Sequence, residues 1–287
     1  MLDQITLASV QFDAHILNIP YNLAKMEDLT RKAVSDHKAD LVLFPEAALT
    51  GYCFSSPQEV FEGAVEPAGP ELSHLKALAA ELGVSLVFGA ATRLGDVCRN
   101  TVFFLEPDWQ VFQYHKSHLP FLGLDKFVES GDRAAGVFHT RFGKIGLIVC
   151  YELRFPETAR VAALEGARLI LQPTNLPAGG ESHPDFLTRA RACENRVPFA
   201  SCNRIGTERG FTFIGRSQVI DREGNILAEA GNGEEIISST LDLTLSEDKD
   251  IIGTPGEREM YLFRDRRPAL YETLCHTTTQ MGFVETP

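Results

Sequence analysis

Hydrophobic and polar positions follow two repeating patterns along this chain. Short apolar runs that end at glycine, proline or polar turns predict β-strands, whereas apolar residues roughly three to four positions apart predict amphipathic helices. The segment 21–37 shows the helical pattern, because Leu23, Met26, Leu29 and Ala33 fall near one face. The two patterns alternate over most of the chain.

Strands and helices are predicted in alternation up to residue 203. The predicted strands are 5–12, 41–45, 84–91, 101–105, 109–114, 143–149, 169–172 and 199–203. The predicted helices are 21–37, 70–82, 155–166 and 184–196. Beyond residue 210 the pattern changes to strands at 216–221, 225–230 and 235–241, separated by Glu223-Gly224 and Gly231-Asn-Gly233. Such turns predict hairpins, and the whole order predicts α/β or α+β layers.

Composition and charge narrow the class of protein. The 287 residues carry a formal net charge of −12 and no basic stripe, which argues against nucleic acid or an anionic membrane as a partner. No apolar run approaches the roughly 18 residues of a membrane span, and no charged and apolar leader precedes the first strand. The six cysteines show neither CxxC pairs nor framework spacing, which favours a reducing compartment. We therefore expect a cytoplasmic protein.

Cys150 stands at the most informative point of the chain. The apolar run 145–149 ends abruptly in this residue, and Pro156 with Glu157 indicates a helix start shortly afterwards. This layout is typical of a nucleophile on a sharp strand-to-helix turn, where backbone N–H groups and the positive end of a helix dipole favour the thiolate. A lone cysteine at the end of a core strand is nevertheless more often buried and inert.

Two ionisable residues at other strand ends favour the catalytic interpretation. Glu46 follows Pro45 at the end of the strand 41–45, and Lys116 lies just beyond the strand 109–114. In parallel α/β architectures such strand ends converge on a ligand crevice. A thiol, a carboxylate and an ammonium would there supply a nucleophile, its base and an oxyanion stabiliser.

The three segments together resemble the nitrilase superfamily of carbon–nitrogen hydrolases, in particular its amidase-like branches. The matching motifs are Leu43-Phe-Pro-Glu46 with Thr50-Gly-Tyr52, His115-Lys116 with His118-Leu119-Pro120, and Cys150-Tyr-Glu-Leu-Arg-Phe-Pro-Glu157. The resemblance runs from about Ile5 to about Leu243 and implies a catalytic triad of Glu46, Lys116 and Cys150. It also implies a four-layer α–β–β–α sandwich, a small-molecule amide or nitrile substrate, and a homodimer or higher homo-oligomer.

The resemblance divides the chain into a carbon–nitrogen hydrolase domain, residues 1–245, and a C-terminal tail, residues 246–287. The tail is polar and, taken alone, would form a solvated arm. In related proteins such tails often pack on a partner subunit, so we expect an oligomer contact.

Two other interpretations of the site stay open from the residues alone. His115 and His118 would permit a cysteine–histidine mechanism of the papain type, although enzymes of that type lack the glutamate and lysine motifs. The same histidines and Cys150 could be considered as metal ligands, but no recognisable zinc spacing supports a metal site. We expect neither a metal nor an organic cofactor.

Substrate-binding residues are also implied by the resemblance. Tyr52 and Asn175 are expected at the pocket, and the backbone N–H of Tyr151 is expected beside Lys116 in the oxyanion site. Many relatives carry a second glutamate between the lysine and the cysteine, and this chain has no glutamate that fits that place cleanly. Asp125 lies next to it and is the candidate replacement.

The predicted reaction is hydrolysis of a small amide to a carboxylic acid and ammonia through a thioester on Cys150. A true nitrilase and an N-carbamoyl-amine hydrolase share the triad and stay as alternatives. Arg154 could hold a substrate carboxylate, or it could pair with Glu152 or Glu157. A binding or scaffold protein that keeps the fold without turnover is a further alternative, but it has no physical need of all three triad residues.

Overall fold

The structure is a computed structural model that describes residues 1–277 of the chain. The chain divides into two compact units, of which the first is Met1–Glu247 and the second starts at Asp248. Within residues 1–277, no helix is both long enough and apolar enough to cross a bilayer. The candidate site lies entirely in the first unit.

The first unit contains the long strands and all the α-helices of the described residues. Its strands are β1 (Gln4–Gln11), β2 (Leu41–Leu43), β3 (Ser85–Leu94), β4 (Val97–Leu105), β5 (Val111–His115), β6 (Gly136–Thr140), β7 (Gly143–Leu147), β8 (Leu169–Pro173), β9 (Phe199–Cys202), β10 (Thr207–Glu208), β11 (Phe211–Thr212), β12 (Gln218–Ile220), β13 (Ile226–Glu229) and β14 (Glu235–Asp242). Its α-helices are α1 (Ile19–His37), α2 (Pro57–Gly63), α3 (Pro70–Leu82), α4 (Pro156–Leu164) and α5 (Thr188–Asn195).

Two six-stranded sheets form the centre of this unit. The first sheet has the order β14-β1-β2-β3-β4-β5, and the second has the order β13-β12-β9-β8-β7-β6. In each sheet three central strands are parallel, and the outer strands join them antiparallel. Helices α1 and α3 contact the first sheet, and α4 and α5 contact the second. The unit is therefore a four-layer α–β–β–α sandwich, which confirms the predicted fold class.

Alternation along the strands separates the two faces of the first sheet. Leu7 and Leu43 belong to the core between the sheets, together with Leu147 from the second sheet. Their neighbours Ala8 and Val42 belong to the core that the first sheet shares with the helices. Both faces are buried, so β2 is apolar at every position and β1 carries apolar residues on both faces, which explains the apolar runs in the sequence.

Helix boundaries follow local signals closely. The predicted helix 70–82 coincides with α3, which has Pro70 in its first turn and ends where Gly83 adopts a left-handed φ of 67°. Glycine takes that conformation without a Cβ penalty. The predicted helix 184–196 begins later than expected, because a π-helical turn, His183–Leu187, precedes α5. Helix α2, which has Ser56 as its N-cap, was not predicted.

The last strand departs from the predicted hairpins. β12 and β13 do form an antiparallel hairpin, with Gln218 opposite Glu229, as predicted. β14 was wrongly expected to pair beside them; instead it pairs along its whole length with β1 in the other sheet. The side chain of Gln11 explains the difference, because its Nε2 donates to the carbonyls of Gly231 (2.9 Å) and Gly233 (2.7 Å). The turn is thereby held between the sheets and does not close a hairpin.

The second unit is small in its described part. β15 (Asp250–Ile252) pairs antiparallel with β16 (Glu259–Tyr261), and two short 3₁₀ turns follow at Pro268–Leu270 and Glu272–Cys275. Part of the tail for which a partner contact was predicted, residues 278–287, lies outside the described residues.

Candidate active site

Glu46 lies in the turn that follows β2, and its side chain is only 1% exposed. The turn packs directly on β3, where the N–H of Gly89 donates to the carbonyl of Pro45 (3.1 Å). A Cβ atom at Gly89 would come within 2.3 Å of the backbone nitrogen of Ala47 and 2.8 Å of Glu46 Cα. The position of the carboxylate therefore depends on a residue without a side chain on the neighbouring strand.

Lys116 is the first residue after β5, and it is completely buried. Its Nζ donates to Oε1 of Glu46 (2.8 Å) and to Oδ2 of Asp125 (2.6 Å). Burial lowers the pKa of Lys116, but the nearby carboxylates of Asp125 and Glu46 outweigh it, so the pKa is well above its ordinary value. The side chain is therefore a permanent ammonium at neutral pH.

Asp125 lies in a 3₁₀ turn, Gly123–Lys126, and is buried with the lysine. Besides Lys116, its carboxylate accepts hydrogen bonds from the Tyr52 hydroxyl (2.8 Å) and from Nδ2 of Asn100 (2.8 Å). The structure thus places Asp125 against the lysine, and Tyr52 contacts the cluster through Asp125.

Asn100 is a member of the cluster that sequence reasoning missed. It lies on β4, and its Nδ2 donates both to Asp125 and to Oε1 of Glu46 (2.7 Å). The predicted strand 101–105 began just after it, and its polar neighbours Arg99 and Thr101 gave no signal that set Asn100 apart. Nor does the sequence reveal its partners, because the two carboxylates come from distant parts of the chain.

Cys150 follows β7 on a sharp turn, as predicted. It has a left-handed φ of 46°, opens a 3₁₀ turn, Cys150–Arg154, and is followed by α4. A non-glycine residue in that region of φ is uncommon and indicates a conformation imposed by the surrounding fold. Nε2 of Gln172 donates to the Cys150 carbonyl (2.9 Å), and Sγ lies 4.0 Å from the carbonyl oxygen of Asn175.

The protonation of Cys150 differs from the expectation. Burial, and then the carboxylate of Glu46, raise the pKa of the thiol to about 12, while Lys116 acts in the opposite direction. The prediction of a favoured thiolate was wrong, because burial and the charge of a nearby carboxylate exceed the stabilisation from the lysine and the backbone. Cys150 is a neutral thiol at neutral pH and needs a base to become a nucleophile.

Glu46 has the electrostatic character of such a base. Burial raises the pKa of its carboxyl, with Asp125 adding to the rise and Lys116 and Asn100 opposing it. Its Oε1 accepts both the lysine and the asparagine, whereas its Oε2 has no hydrogen-bond partner among the described residues. One oxygen of the carboxylate is therefore held, and the other is available.

Glu152 is a second buried residue that the sequence did not assign to the site. Its Oε2 accepts the N–H of Val149 (2.7 Å), the residue before the cysteine. Its Oε1 accepts the N–H of Ser117 (2.7 Å), the residue after the lysine, and the hydroxyls of Ser117 and Tyr114 (2.8 Å each). This one carboxylate ties the nucleophile turn of the second sheet to the lysine segment of the first.

The remaining predicted residues lie near the cysteine turn. Asn175 follows β8 and is buried, and both polar atoms of its side chain lack a partner among the described residues. Tyr151 is half-buried and packs edge-on against Phe155, with ring centroids 5.1 Å apart. Arg154 is exposed, and no described residue forms an ion pair with it, so of its two alternatives the pairing with Glu152 or Glu157 is not observed within residues 1–277.

The two histidines have other partners. Nδ1 of His115 lies 2.9 Å from the Thr101 hydroxyl, and Nδ1 of His118 lies 2.9 Å from the Ser117 hydroxyl. His118 also stacks on Phe155. This geometry gives no support to a cysteine–histidine pair, and residues 1–277 hold no group of three or more side chains suited to a metal ion.

The α–β–β–α sandwich is shared with solved amidases of the nitrilase superfamily, such as an amidase mutant of Nesterenkonia AN1 with a TM-score of 0.79 at 28% identity, covering 94% of this chain and 97% of that one. The chain belongs to the carbon-nitrogen hydrolase family, whose profile matches residues 6–249. It is therefore a carbon–nitrogen hydrolase, as the sequence motifs predicted.

Three relatives illustrate the range of the family. A nitrilase of Pyrococcus abyssi is 36% identical over 271 residues, which cover 93% of this chain and 99% of that protein. An N-carbamoylputrescine amidase of Solanum lycopersicum is 32% identical over 295 residues, with 94% of each chain covered. A mutant amidase of Nesterenkonia sp. AN1 has a TM-score of 0.77 at 27% identity, covering 94% of this chain and 97% of that one. That structure shows covalent addition of the acetamide moiety of fluoroacetamide at the active site cysteine.

Proposed function

We propose that the protein hydrolyses a small linear amide to a carboxylic acid and ammonia, with Cys150 as nucleophile, Glu46 as general base and acid, and Lys116 as oxyanion stabiliser. The observation that carries this proposal is the buried carboxylate of Glu46, which accepts hydrogen bonds through one oxygen only. Its charge raises the pKa of the Cys150 thiol, so the two groups interact and the thiol is neutral at neutral pH. In the mutant amidase of Nesterenkonia, the acetamide moiety of fluoroacetamide is covalently added to the active site cysteine, which supports the use of the Cys150 thiol as a nucleophile.

The first step makes the sulfur–carbon bond. Glu46 accepts the proton from Sγ while the sulfur attacks the carbonyl carbon, and the π electrons of the carbonyl move onto its oxygen. The raised pKa of Glu46 makes it a stronger base than an exposed carboxylate. Lys116 and the N–H of Tyr151 stabilise the oxyanion, and one well-placed donor contributes roughly 3–4 kcal/mol to such a transition state.

The second step breaks the carbon–nitrogen bond. The oxyanion electrons re-form the carbonyl, and the amide nitrogen takes the proton from Glu46. Ammonia then departs, and the acyl group remains on Cys150 as a thioester. Glu46 then accepts a proton from water as the water oxygen attacks the thioester carbon. When the carbon–sulfur bond breaks, the sulfur takes that proton back, and the acid is released. The cycle regenerates both side chains without another reactant.

Asn175 is proposed as the residue that binds the substrate amide. Its buried side chain offers one acceptor and a pair of donors that no described residue uses, and its backbone lies beside the sulfur. An unpartnered buried amide is costly, by about 1–3 kcal/mol per group, unless a ligand completes its hydrogen bonds. A substrate amide has the complementary donor and acceptor.

Arg154 favours a second candidate substrate class, amides that also carry a carboxylate. Its guanidinium is exposed, has no ion-pair partner among the described residues, and lies on the turn that begins with Cys150. N-carbamoyl amino acids and ω-amides of dicarboxylates have such a group. A nitrile remains the alternative for the reacting bond, supported by the relationship to the Pyrococcus nitrilase.

Ammonia release from a mixed substrate panel tests these proposals. The panel contains simple amides, ω-amides of dicarboxylates, N-carbamoyl amino acids and nitriles, and each is assayed with wild type and with Cys150→Ala. We expect release from amides, and its complete loss in a folded Cys150→Ala protein. Full activity in that variant would refute the thioester mechanism, and release from nitriles alone would establish a nitrilase. Turnover restricted to carboxylate-bearing amides, and lost in Arg154→Met, would establish the second class.

A further inference from the structure

Asn100 occupies an unusual position between two catalytic-site carboxylates. One amide nitrogen donates its two hydrogens to two acids, Oε1 of Glu46 at 2.7 Å and Oδ1 of Asp125 at 2.8 Å. Lys116 bridges the same two carboxylates from its own side, at 2.8 and 2.6 Å. The four side chains thus form a closed ring of alternating donors and acceptors. All four are at least 96% buried.

The ring determines which oxygen of Glu46 is available. Both donors, Lys116 and Asn100, use Oε1, and Oε2 is left without a partner among the described residues. A carboxylate held by the lysine alone could rotate about its terminal torsion, which is broad and roughly two-fold. The second donor, fixed on β4, removes that freedom and directs Oε2 away from the ring.

The ring also limits the repulsion between the two acids. A single ammonium faces two carboxylates in a buried environment, and like charges at such a site push one pKa upward. The groups that face Glu46 are Lys116 from the segment after β5, Asp125 from the 3₁₀ turn, the Cys150 thiol and the Tyr52 phenol. Asn100 donates to both acids without adding charge, and its hydrogen bond to Glu46 opposes the rise in the pKa of that carboxyl.

We propose that Asn100 is a positioning residue of this enzyme, which keeps Glu46 ionised and presents its Oε2 to the nucleophile. This inference rests on the proposed function in one respect, namely that Glu46 acts as the base. Asn100 acts through Glu46 and needs no contact with substrate.

Two substitutions separate this role from simple space filling. Asn100→Ala removes the donors, and Asn100→Asp keeps the shape but replaces the donors with a third acid. The measurement is the pH dependence of kcat/KM, whose acid limb reports the ionisation of Glu46 in the free enzyme. We expect the midpoint of this acid limb to move to higher pH, by about one pH unit in Asn100→Ala and by more in Asn100→Asp. KM is expected to change much less than kcat.

Asn195 provides the matched control. It is also fully buried, donates its Nδ2 to the carbonyl of Arg191 (2.9 Å), and likewise has an unpartnered Oδ1, but it lies on α5. Asn195→Ala should lose stability without moving the acid limb. If Asn100→Asp lies closest to wild type, or if the limb stays in place in both Asn100 variants, the inference is overturned. Should Asn100→Ala not fold, Asn100→Leu, which also lacks side-chain donors and is close in size to asparagine, makes the same comparison.

A second readout separates this inference from the proposed function. The rate at which iodoacetamide alkylates Cys150, followed by peptide mass spectrometry against pH, reports the charge of Glu46 without turnover. If wild type hydrolyses no amide but the alkylation profile shifts in the Asn100 variants, the proposed function fails and Asn100 retains its role. If amides are hydrolysed and neither profile shifts, the Asn100 inference fails and the proposed function stands.

Discussion

At the scale of single residues, the candidate site is a set of buried charges that depend on one another. Lys116 is shielded from solvent and relies on two carboxylates, and each carboxylate relies on the lysine. Removal of one partner from a buried ion pair is strongly destabilising, because it leaves an uncompensated charge. Under the proposed function, the same contacts affect both folding and catalysis.

Lys116→Met tests this dependence. We expect kcat/KM to fall at least 100-fold because the oxyanion loses a donor, and the free energy of unfolding to fall by about 3–5 kcal/mol because two acids lose their counter-ion. Steady-state kinetics and urea unfolding measure the two effects. Lys126→Met, an exposed lysine in the adjacent 3₁₀ turn, should change neither quantity much. Near-wild-type rates in Lys116→Met would remove the lysine from its proposed role.

The sequence predicted the three central side chains but not the residues that support them. Glu46, Lys116 and Cys150 each follow a recognisable strand, so their positions could be inferred from local pattern. Asn100 and Glu152 could not, because their function depends on partners that only the fold brings within hydrogen-bond distance. The thiol pKa was also mispredicted, since burial and the charge of Glu46 are tertiary properties.

At the scale of elements, the site is held by contacts between segments of different sheets. The turn after β2 relies on Gly89 of β3, and the cysteine turn relies on Glu152. Glu152 is the more informative of the two, because its carboxylate accepts backbone N–H groups from the segments that carry Lys116 and Cys150. A catalytic geometry divided between two sheets needs such a connection to keep its distances constant.

Glu152→Gln should weaken this connection. An amide at this position keeps one acceptor oxygen but presents an N–H₂ group to a second backbone N–H. That buried donor then has no acceptor, which lowers the free energy of unfolding by about 1–3 kcal/mol. We expect that loss in urea unfolding, together with a lower kcat. Glu157→Gln, an exposed residue at the start of α4, is the control and should remain near wild type. Unchanged stability and kcat in Glu152→Gln would contradict the proposed role of Glu152 as the connection between the two segments.

At the scale of the whole molecule, the layered architecture was predictable, but the passage of the chain from β13 in one sheet to β14 in the other was not. Apolar runs and helical spacing located most strands and helices, and the motifs indicated the sandwich. The pairing of β14 with β1 was missed, because a Gly-Asn-Gly turn looks the same whether it closes a hairpin or passes between sheets. The side chain of Gln11, more than two hundred residues away, makes the difference.

Alkaline pH should destabilise the protein through its buried thiols. Burial raises the pKa of Cys150 to about 12 and also raises that of Cys202, whereas an unfolded thiol titrates near 9.0. Above pH 9 the unfolded state therefore binds fewer protons than the native state, and stability falls by roughly 1.4 kcal/mol per thiol for each pH unit.

Urea unfolding at pH 8, 9 and 10 measures this loss. The Cys150→Ala and Cys202→Ala proteins should each show a shallower decline with pH than wild type, even where their stability at pH 8 is lower. Cys193→Ala, in which an exposed thiol is removed, should decline as wild type does. A wild-type stability that is constant between pH 9 and 10 would contradict the expectation.

During synthesis on the ribosome, β1 emerges long before the strand that covers its outer edge, because Gln4 pairs with Asp242 and Gln11 with Glu235. At roughly 5–20 residues per second, translation leaves that edge open for about ten seconds or longer. An uncovered edge strand is a template for pairing with other chains. Nascent chains that stall before β14 should therefore aggregate, and completed chains should escape that fate once the final strand is in place.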